Sequence, residues 1–163
     1  LSVGLIPENE LSREAGVELH AVTGGPVVDD SLMTNIPGIF ACGNVLHVHD
    51  LVDYVSEEGE RCGKCTAAYL QKTGEEKQAV ITIRPGNMVK YVLPMKISRA
   101  SKNTPIYLRT LDVAEKGSFI IQDDENILYE KKFRGIHPGS IIRLDLPQAE
   151  TDKSTITVNI KAE

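Results

Sequence analysis

The chain has 163 residues, of which 41% are hydrophobic and 25% are charged, a composition typical of a soluble globular protein. No apolar run approaches the roughly 20 residues that a helix needs to cross a bilayer, so we expect no membrane partner. The cysteines are an odd number, three, and the sequence contains no glycosylation sequon, so we expect a reducing, cytoplasmic location rather than secretion.

The net charge of −5 is unevenly distributed along the chain. Residues 1–78 contain 13 acidic and 5 basic residues, a balance of −8, whereas residues 79–163 contain 10 acidic and 13 basic residues, a balance of +3. Such a difference between halves favours two modules with different surfaces. The basic half lacks an alternation of aromatic and basic residues, so we expect no nucleic-acid partner.

The first 30 residues contain two short predicted elements. Residues 12–16 (SREAG) predict a helical turn that ends at a glycine. Residues 25–29 (GPVVD) predict a turn that leads into a short strand. The texture of this part of the chain is therefore mixed α/β.

Residues 34–44 (TNIPGIFACGN) form the most informative stretch. They predict a Pro-Gly turn, a short buried strand over residues 39–42, and a Gly-Asn pair at its end. Gly43 would let the backbone approach a ligand closely because it has no Cβ. Asn44 could hydrogen-bond a hydroxyl or phosphate oxygen without adding charge. The alternative is an ordinary strand-to-helix turn, since Gly-Asn pairs are common in turns.

Residues 53–70 predict the one long helix, with a plain N-cap at Asp50 or Asp53. Gly59 and Gly63 each weaken such a helix by roughly 1 kcal/mol, and their spacing places both on one side, so we expect close backbone packing on a sheet there. The predicted buried stripe consists of apolar or small residues, Tyr54, Val55, Cys62, Cys65, Ala68 and Tyr69. The predicted outer face consists of charged residues, Glu57, Glu58, Glu60, Arg61 and Lys64.

Two motifs within or near this helix could carry chemistry. Cys62 and Cys65 share a helix face and could form a redox switch or bind metal. Thiol reactivity, however, favours a cysteine at a helix N-terminus, so we interpret both as small apolar residues. His47 and His49 could join them in a zinc site, but structural zinc sites rarely use cysteines from the middle of a helix. We therefore assign no metal ligand, and no catalytic residue.

A polar, glycine-containing break at residues 72–78 (KTGEEKQ) predicts a boundary between two domains, 1–76 and 77–163. The second contains about seven predicted strands at roughly 10-residue spacing, which predicts a small β-sandwich. Residues 123–126 (DDEN) predict a hairpin loop rather than a calcium site, because the spaced ligands and the distal Glu are absent. The predicted strands cover residues 79–83, 88–97 (with Pro94 at an edge or bulge), 106–111, 118–121, 127–133, 141–146 and 155–160.

The stretch 34–44 resembles the second FAD-binding motif of the pyridine nucleotide-disulfide oxidoreductase superfamily. In that family, "T-x-x-P-G-[IV]-[FY]-A-x-G-D" places its final acid on the flavin ribityl chain, and Asn44 replaces the acid here. The resemblance implies that Gly43 and Asn44 bind FAD. It also implies that the start of the long helix, at Val52, Asp53 and Tyr54, points at the pyrimidine edge of the flavin ring.

The resemblance leaves two interpretations of the histidines His47 and His49. One of them could lie near the flavin ring, where it would tune the ring or contact a substrate. The alternative is a pair of solvated loop histidines. The opening residues 1–7 (LSVGLIP) resemble the family's "x-G-x-x-P-N" segment, which lies near the end of its NAD domain.

The implied parent is an FAD-dependent, NAD(P)-linked oxidoreductase that passes a hydride between NAD(P)H and FAD. None of the 13 glycines forms the G-x-G-x-x-G pyrophosphate turn, and the chain opens without Met. We therefore expect a C-terminal fragment that is colourless and inactive alone and has the remainder of the parent chain as its partner.

The overall class is α+β, a partial α/β FAD-binding segment followed by an all-β sandwich-like module. The resemblance implies that the β module docks a partner flavoprotein subunit or a second copy of the chain. The alternative is a non-catalytic interaction module that carries a vestigial α/β segment.

Overall fold

The computed structural model describes residues 4–71, 79–124 and 126–163. The chain divides into two compact units, Leu1–Glu76 and Lys77–Glu163. A long helix dominates the first unit and strands make up the second, which confirms the α+β class. The predicted break at residues 72–78 and the first three residues of the opening motif lie outside the described residues. In the described part of the chain, no helix is long and apolar enough to cross a membrane.

The first unit contains two α-helices and one 3-10 turn in its described part. Helix α1 spans Glu10–Glu14, and Gly16 follows it with a φ of +78°. The 3-10 turn spans Gly43–Val45, and helix α2 spans Val52–Gln71. Both helix predictions are confirmed, with α1 beginning two residues before the predicted turn.

The two strands predicted in this unit do not form as strands. Each segment pairs at a single position, Leu19 with Pro26 and Met33 with Phe40. The Pro-Gly turn, in which Gly38 has a φ of +85°, folds the chain back on itself. The backbone bonds of residues 39–41 therefore go to the preceding loop, with Ala41 donating its N–H to the carbonyl of Leu32 at 2.9 Å. A strand needs a continuous ladder of backbone hydrogen bonds to a neighbouring strand, and a turn this short pairs the two segments at one position only.

The predicted buried face of α2 is partly wrong. The buried residues of this helix are Glu58 and Cys62, whereas Ala68 and Tyr69 are exposed. The prediction of close packing at Gly59 and Gly63 is also wrong, because a Cβ at either position would meet no atom within 4 Å. The side that faces the rest of the unit carries an acid in place of the predicted small residues.

The second unit contains eight strands in its described part. The prediction of a single strand over residues 88–97, with Pro94 at an edge or a bulge, is wrong. The segment forms two strands that lie in different sheets, with Pro94 between them, where its lack of an N–H interrupts the ladder. The strands are β1 Val80–Pro85, β2 Val89–Leu93, β3 Lys96–Ser98, β4 Thr104–Thr110, β5 Ala114–Gln122, β6 Ile127–Ile136, β7 Ile142–Leu146 and β8 Thr155–Ala162.

These strands form two sheets that share one hydrophobic core. The five-stranded sheet has the order β3-β1-β8-β5-β6 and the three-stranded sheet the order β2-β4-β7. Every pair is antiparallel except β1 with β8. The core takes Ile121 and Ile156 from the first sheet and Leu108 and Leu144 from the second. Alternate residues of β8 are buried, as its period of two predicts.

The Asp-rich loop between β5 and β6 connects an antiparallel pair, which confirms the hairpin prediction. Asp123 accepts hydrogen bonds from the N–H of Asn126 at 2.7 Å and from the hydroxyl of Thr151 at 2.6 Å. Its carboxylate therefore stabilises the loop conformation. Glu125 lies outside the described residues.

Candidate functional site

The site in the first unit is centred on the turn at Gly43. This residue is buried and has a φ of +71°, a conformation that side-chain-bearing residues rarely adopt. A Cβ at this position would lie 3.4 Å from Cγ1 of Val55 on α2. The turn is closed by a 2.9 Å bond from the N–H of Leu46 to the Gly43 carbonyl. The positive φ therefore favours glycine at this turn, and the absence of a side chain lets the turn pack closely on the helix.

Asn44 lies on the exposed side of the same turn. Its side-chain oxygen accepts the backbone N–H of His49 at 3.1 Å. The asparagine therefore spans the loop that leads from the turn to α2 and holds it closed.

The other predicted cofactor-binding residues lie in the first turn of α2. Val52 is 75% exposed, Asp53 is exposed and Tyr54 is half-buried. The helix begins at Val52, so Asp53 is inside its first turn and does not precede it as an N-cap would. The N-terminus of a 20-residue helix carries partial positive charge, which suits an anion.

A second group of residues lies directly behind this turn. His47 and His49 from the loop meet Glu58 from the second turn of α2. The Nε2 atom of His49 is 3.1 Å from Oε2 of Glu58, and Nε2 of His47 is 3.8 Å from Oε1. The two imidazole rings are 4.2 Å apart between centroids. All three side chains are buried, with exposures of 1% for His47, 8% for His49 and 2% for Glu58.

The carboxylate of Glu58 connects this group to the Gly43 turn. Its Oε2 atom accepts the backbone N–H of Gly43 at 2.5 Å. Burial alone would raise the pKa of Glu58, but the neighbouring imidazoles and the Gly43 N–H stabilise the anion and hold that pKa at about 2. A buried ionised carboxylate thus fixes the turn, the loop and the helix to one another.

Asn9 supports this loop from the other side. It is 4% exposed, and its amide nitrogen donates to the carbonyls of Val45 at 2.8 Å and Gly24 at 3.1 Å. Leu46 is fully buried beside Gly25, where any Cβ would overlap the Leu46 carbonyl. The loop between the turn and α2 is therefore held by contacts on several sides.

Two sequence-based expectations about this group are wrong. Glu58 was predicted on the outer face of the helix, and the alternative for the histidines was a solvated loop. A signal for Glu58 was present, because Tyr54 and Cys62 are eight positions apart and Glu58 falls midway between them, about one helical turn from each. The signal for the histidines was weaker. His47 and His49 are two positions apart, and alternate residues point to the same side where a segment is extended.

The cysteines are free thiols, and two of them lie on α2. Burial raises the pKa of Cys62 to about 11, with a further contribution from nearby Cys42, and burial also raises the pKa of Cys65. Neutral thiols are poor nucleophiles. Among the described residues, the potential metal ligands within mutual reach are His47, His49 and Glu58, a group that includes neither cysteine.

Residues 1–71 match the family described as pyridine nucleotide-disulphide oxidoreductase. The matched segment is 71 of the 163 residues, and over it the chain is similar to that family. The resemblance predicted from residues 34–44 is thereby confirmed. The match contains both the Gly43 turn and the buried His-His-Glu group. Neither the curated proteins nor the solved structures contain a match to this chain.

Proposed function

We propose that the first unit contributes to the FAD site of an oxidoreductase that transfers a hydride between NAD(P)H and FAD. The observation that carries this proposal is the Gly43 turn, whose positive φ and packing on α2 occur within the segment that matches the family. A turn of this kind lets backbone approach a ligand, and the helix that follows presents its N-terminus.

The residues present fit a flavin nucleotide in several respects. Gly43 lets the turn pack closely on α2, and Asn44 and Val52 are exposed beside it, where a ligand could contact them. The oxygen of Asn44 already accepts the N–H of His49, so its amide nitrogen is the natural donor to a ribityl or phosphate oxygen. When bound, FAD would supply the two-electron chemistry. The partial positive charge at the start of α2 would stabilise negative charge on a reduced ring.

The pyrophosphate requires contacts from elsewhere. No G-x-G-x-x-G turn occurs in the 163 residues. We therefore propose that FAD binding belongs to a longer parent chain and that the present chain is inactive alone.

The test compares the parent protein with this chain, each titrated with FAD and followed by visible absorption. We expect a yellow parent that NAD(P)H bleaches, and a colourless chain. In the parent, Asn44→Ala should weaken FAD binding about fivefold, the equivalent of one hydrogen bond of roughly 1 kcal/mol. Gln71→Ala, at the exposed far end of α2, is the matched control and should have no effect. A parent that takes up no FAD would contradict the proposal and favour the non-catalytic alternative.

We also propose that the second unit docks a partner flavoprotein subunit or a second copy of the chain. The supporting observation is exposed apolar surface beside β5, where Leu111 is 61% and Val113 is 64% exposed. Light scattering of the whole chain tests the second-copy form. We expect a dimer that Leu111→Lys dissociates, whereas a monomer at all concentrations would exclude that form.

A further inference from the structure

We propose that His47, His49 and Glu58 form a binding site for a divalent transition metal, with Zn²⁺ as the first probe. This inference does not depend on the flavin proposal, because it concerns the buried group behind the Gly43 turn. It also revises the sequence-based prediction, which assigned no metal ligand.

The donor set is the first argument. One donor atom from each of the three residues lies within 4.8 Å of the other two. Two imidazole nitrogens and one carboxylate oxygen are a combination that zinc and ferrous iron use in proteins, whereas calcium and magnesium take oxygen ligands. Three protein ligands leave one or more positions for water or another ligand.

The distances are the second argument. Two donors that each lie about 2.1 Å from one tetrahedral ion are about 3.4 Å apart. The observed separations are 3.1 Å from Nε2 of His49 to Oε2 of Glu58 and 3.8 Å from Nε2 of His47 to Oε1 of Glu58, so each imidazole lies near a different oxygen of one carboxylate and at close to that spacing. The three donor groups are therefore close enough together to share one ion.

The third argument is that the ligands are held in place before any ion binds. The N–H of Gly43 orients the Glu58 carboxylate at 2.5 Å, an arrangement typical of outer-sphere partners in metal sites. Asn44 fixes the backbone of His49, and Asn9 fixes the carbonyl of Val45 two residues before His47. An ion here would cross-link the loop after the Gly43 turn to the second turn of α2.

The competing explanation is a hydrogen-bonded group that takes no metal. His49 and Glu58 are already within hydrogen-bond distance of each other, which stabilises the buried charge without an ion. Metal content and metal affinity separate the two explanations, and neither measurement requires flavin.

The experiment measures Zn²⁺ binding to the purified whole chain by competition with a chromophoric chelator. Elemental analysis and the visible spectrum of the Co²⁺-substituted chain complete the measurement. We expect about one ion per chain and a tetrahedral Co²⁺ spectrum. Loss of an outer-sphere partner alone costs roughly 10- to 100-fold in affinity, so His49→Ala and Glu58→Gln, which remove direct ligands, should each cost at least about 100-fold.

Three matched controls are available, two on α2 and one in the second unit. Glu57→Gln removes the neighbouring exposed acid, His137→Ala removes an exposed histidine of the second unit, and Cys65→Ser tests the thiols. All three should bind Zn²⁺ as the unaltered chain does. Equal affinity in Glu58→Gln, or lost affinity in Cys65→Ser, would overturn the site.

Circular dichroism of each variant shows whether it remains folded. Should both ligand variants unfold, the unaltered chain still decides the matter. A folded, unaltered chain that neither retains metal nor takes up Zn²⁺ or Co²⁺ would show that the group is a hydrogen-bond network only.

Discussion

At the scale of single residues, the first unit depends on buried polar groups whose partners are defined. Glu58 is tolerated in the interior because it accepts the Gly43 N–H and lies beside two imidazoles. A buried carboxylate without such partners would be strongly destabilising. The sequence alone could not reveal this, since Glu57 and Glu58 are chemically identical and only the direction in which α2 packs distinguishes them.

Asn9→Ala should destabilise the first unit by about 1–3 kcal/mol, because it leaves the carbonyls of Val45 and Gly24 without their buried donor. Asn35→Ala is the matched control. Asn35 also bridges two backbone groups, of Glu18 and Gly16, but it is exposed, so water can replace it. Urea unfolding followed by circular dichroism measures both. An equal loss of unfolding free energy in the two variants would show that burial of Asn9 does not matter.

Cys62 should resist alkylation at neutral pH, since burial raises its pKa from 9.0 to about 11. Mass spectrometry after timed exposure to iodoacetamide should show labelling that accelerates only as pH approaches about 11. Labelling at neutral pH as fast as in denaturant would show that the thiol is not buried.

The same pKa shift makes the stability of the fold depend on pH. The Cys62 thiol loses its proton at a lower pH in the unfolded chain than in the folded chain, so its contribution to stability is fully present below pH 9.0 and is lost as pH rises towards about 11.

At the scale of elements, the pattern along the chain predicted the helix and most strands but not what each one contacts. Helix α2 matches its predicted bounds to within one residue at each end. The β5–β6 hairpin forms as predicted, but β5 begins four residues earlier and β6 ends three residues later than the sequence predicts. The strand predicted at residues 39–42 failed because its apolar run says nothing about whether a neighbouring strand exists. In this unit, the Pro-Gly turn directs those residues to an adjacent loop.

Gly59→Ala and Gly63→Ala should each stabilise α2 by up to about 1 kcal/mol, since the new methyl group meets no atom within 4 Å and alanine favours the helix. Gly25→Ala is the contrasting variant and should destabilise the unit, because its Cβ would overlap the carbonyl of Leu46. Thermal unfolding of the three variants gives the comparison. A destabilising Gly63→Ala would restore the prediction of close packing on this side of the helix.

At the scale of the whole molecule, the two units differ in how they are stabilised. The second unit has a continuous core drawn from both sheets. Among the residues that the structure describes, the first has fewer fully buried apolar side chains, which include Leu32 and Leu46, and its loops are held by side-chain hydrogen bonds. The assignment of residues 1–76 and 77–163 to separate functions stays a prediction.

Residues 77–163 expressed alone should fold and unfold cooperatively, because their core lies within that segment. Leu144→Ala should cost about 2–5 kcal/mol there, since Leu144 is 1% exposed. Leu111→Ala, which removes the same atoms from a side chain that is 61% exposed, should cost little. Circular dichroism and urea unfolding provide the measurement, and a segment without a cooperative transition would contradict the prediction.

The sequence by itself determined the family of the first segment, the extent of α2 and the β character of the second unit. Each of these depends on residues close together in the chain, either as a motif at 34–44 or as a repeating period of polar and apolar residues. Only the tertiary structure decided that Glu58 faces inward and meets His47 and His49. Those contacts join residues nine and eleven positions apart on different elements, and they depend on how the helix packs against its preceding loop, which no local pattern specifies.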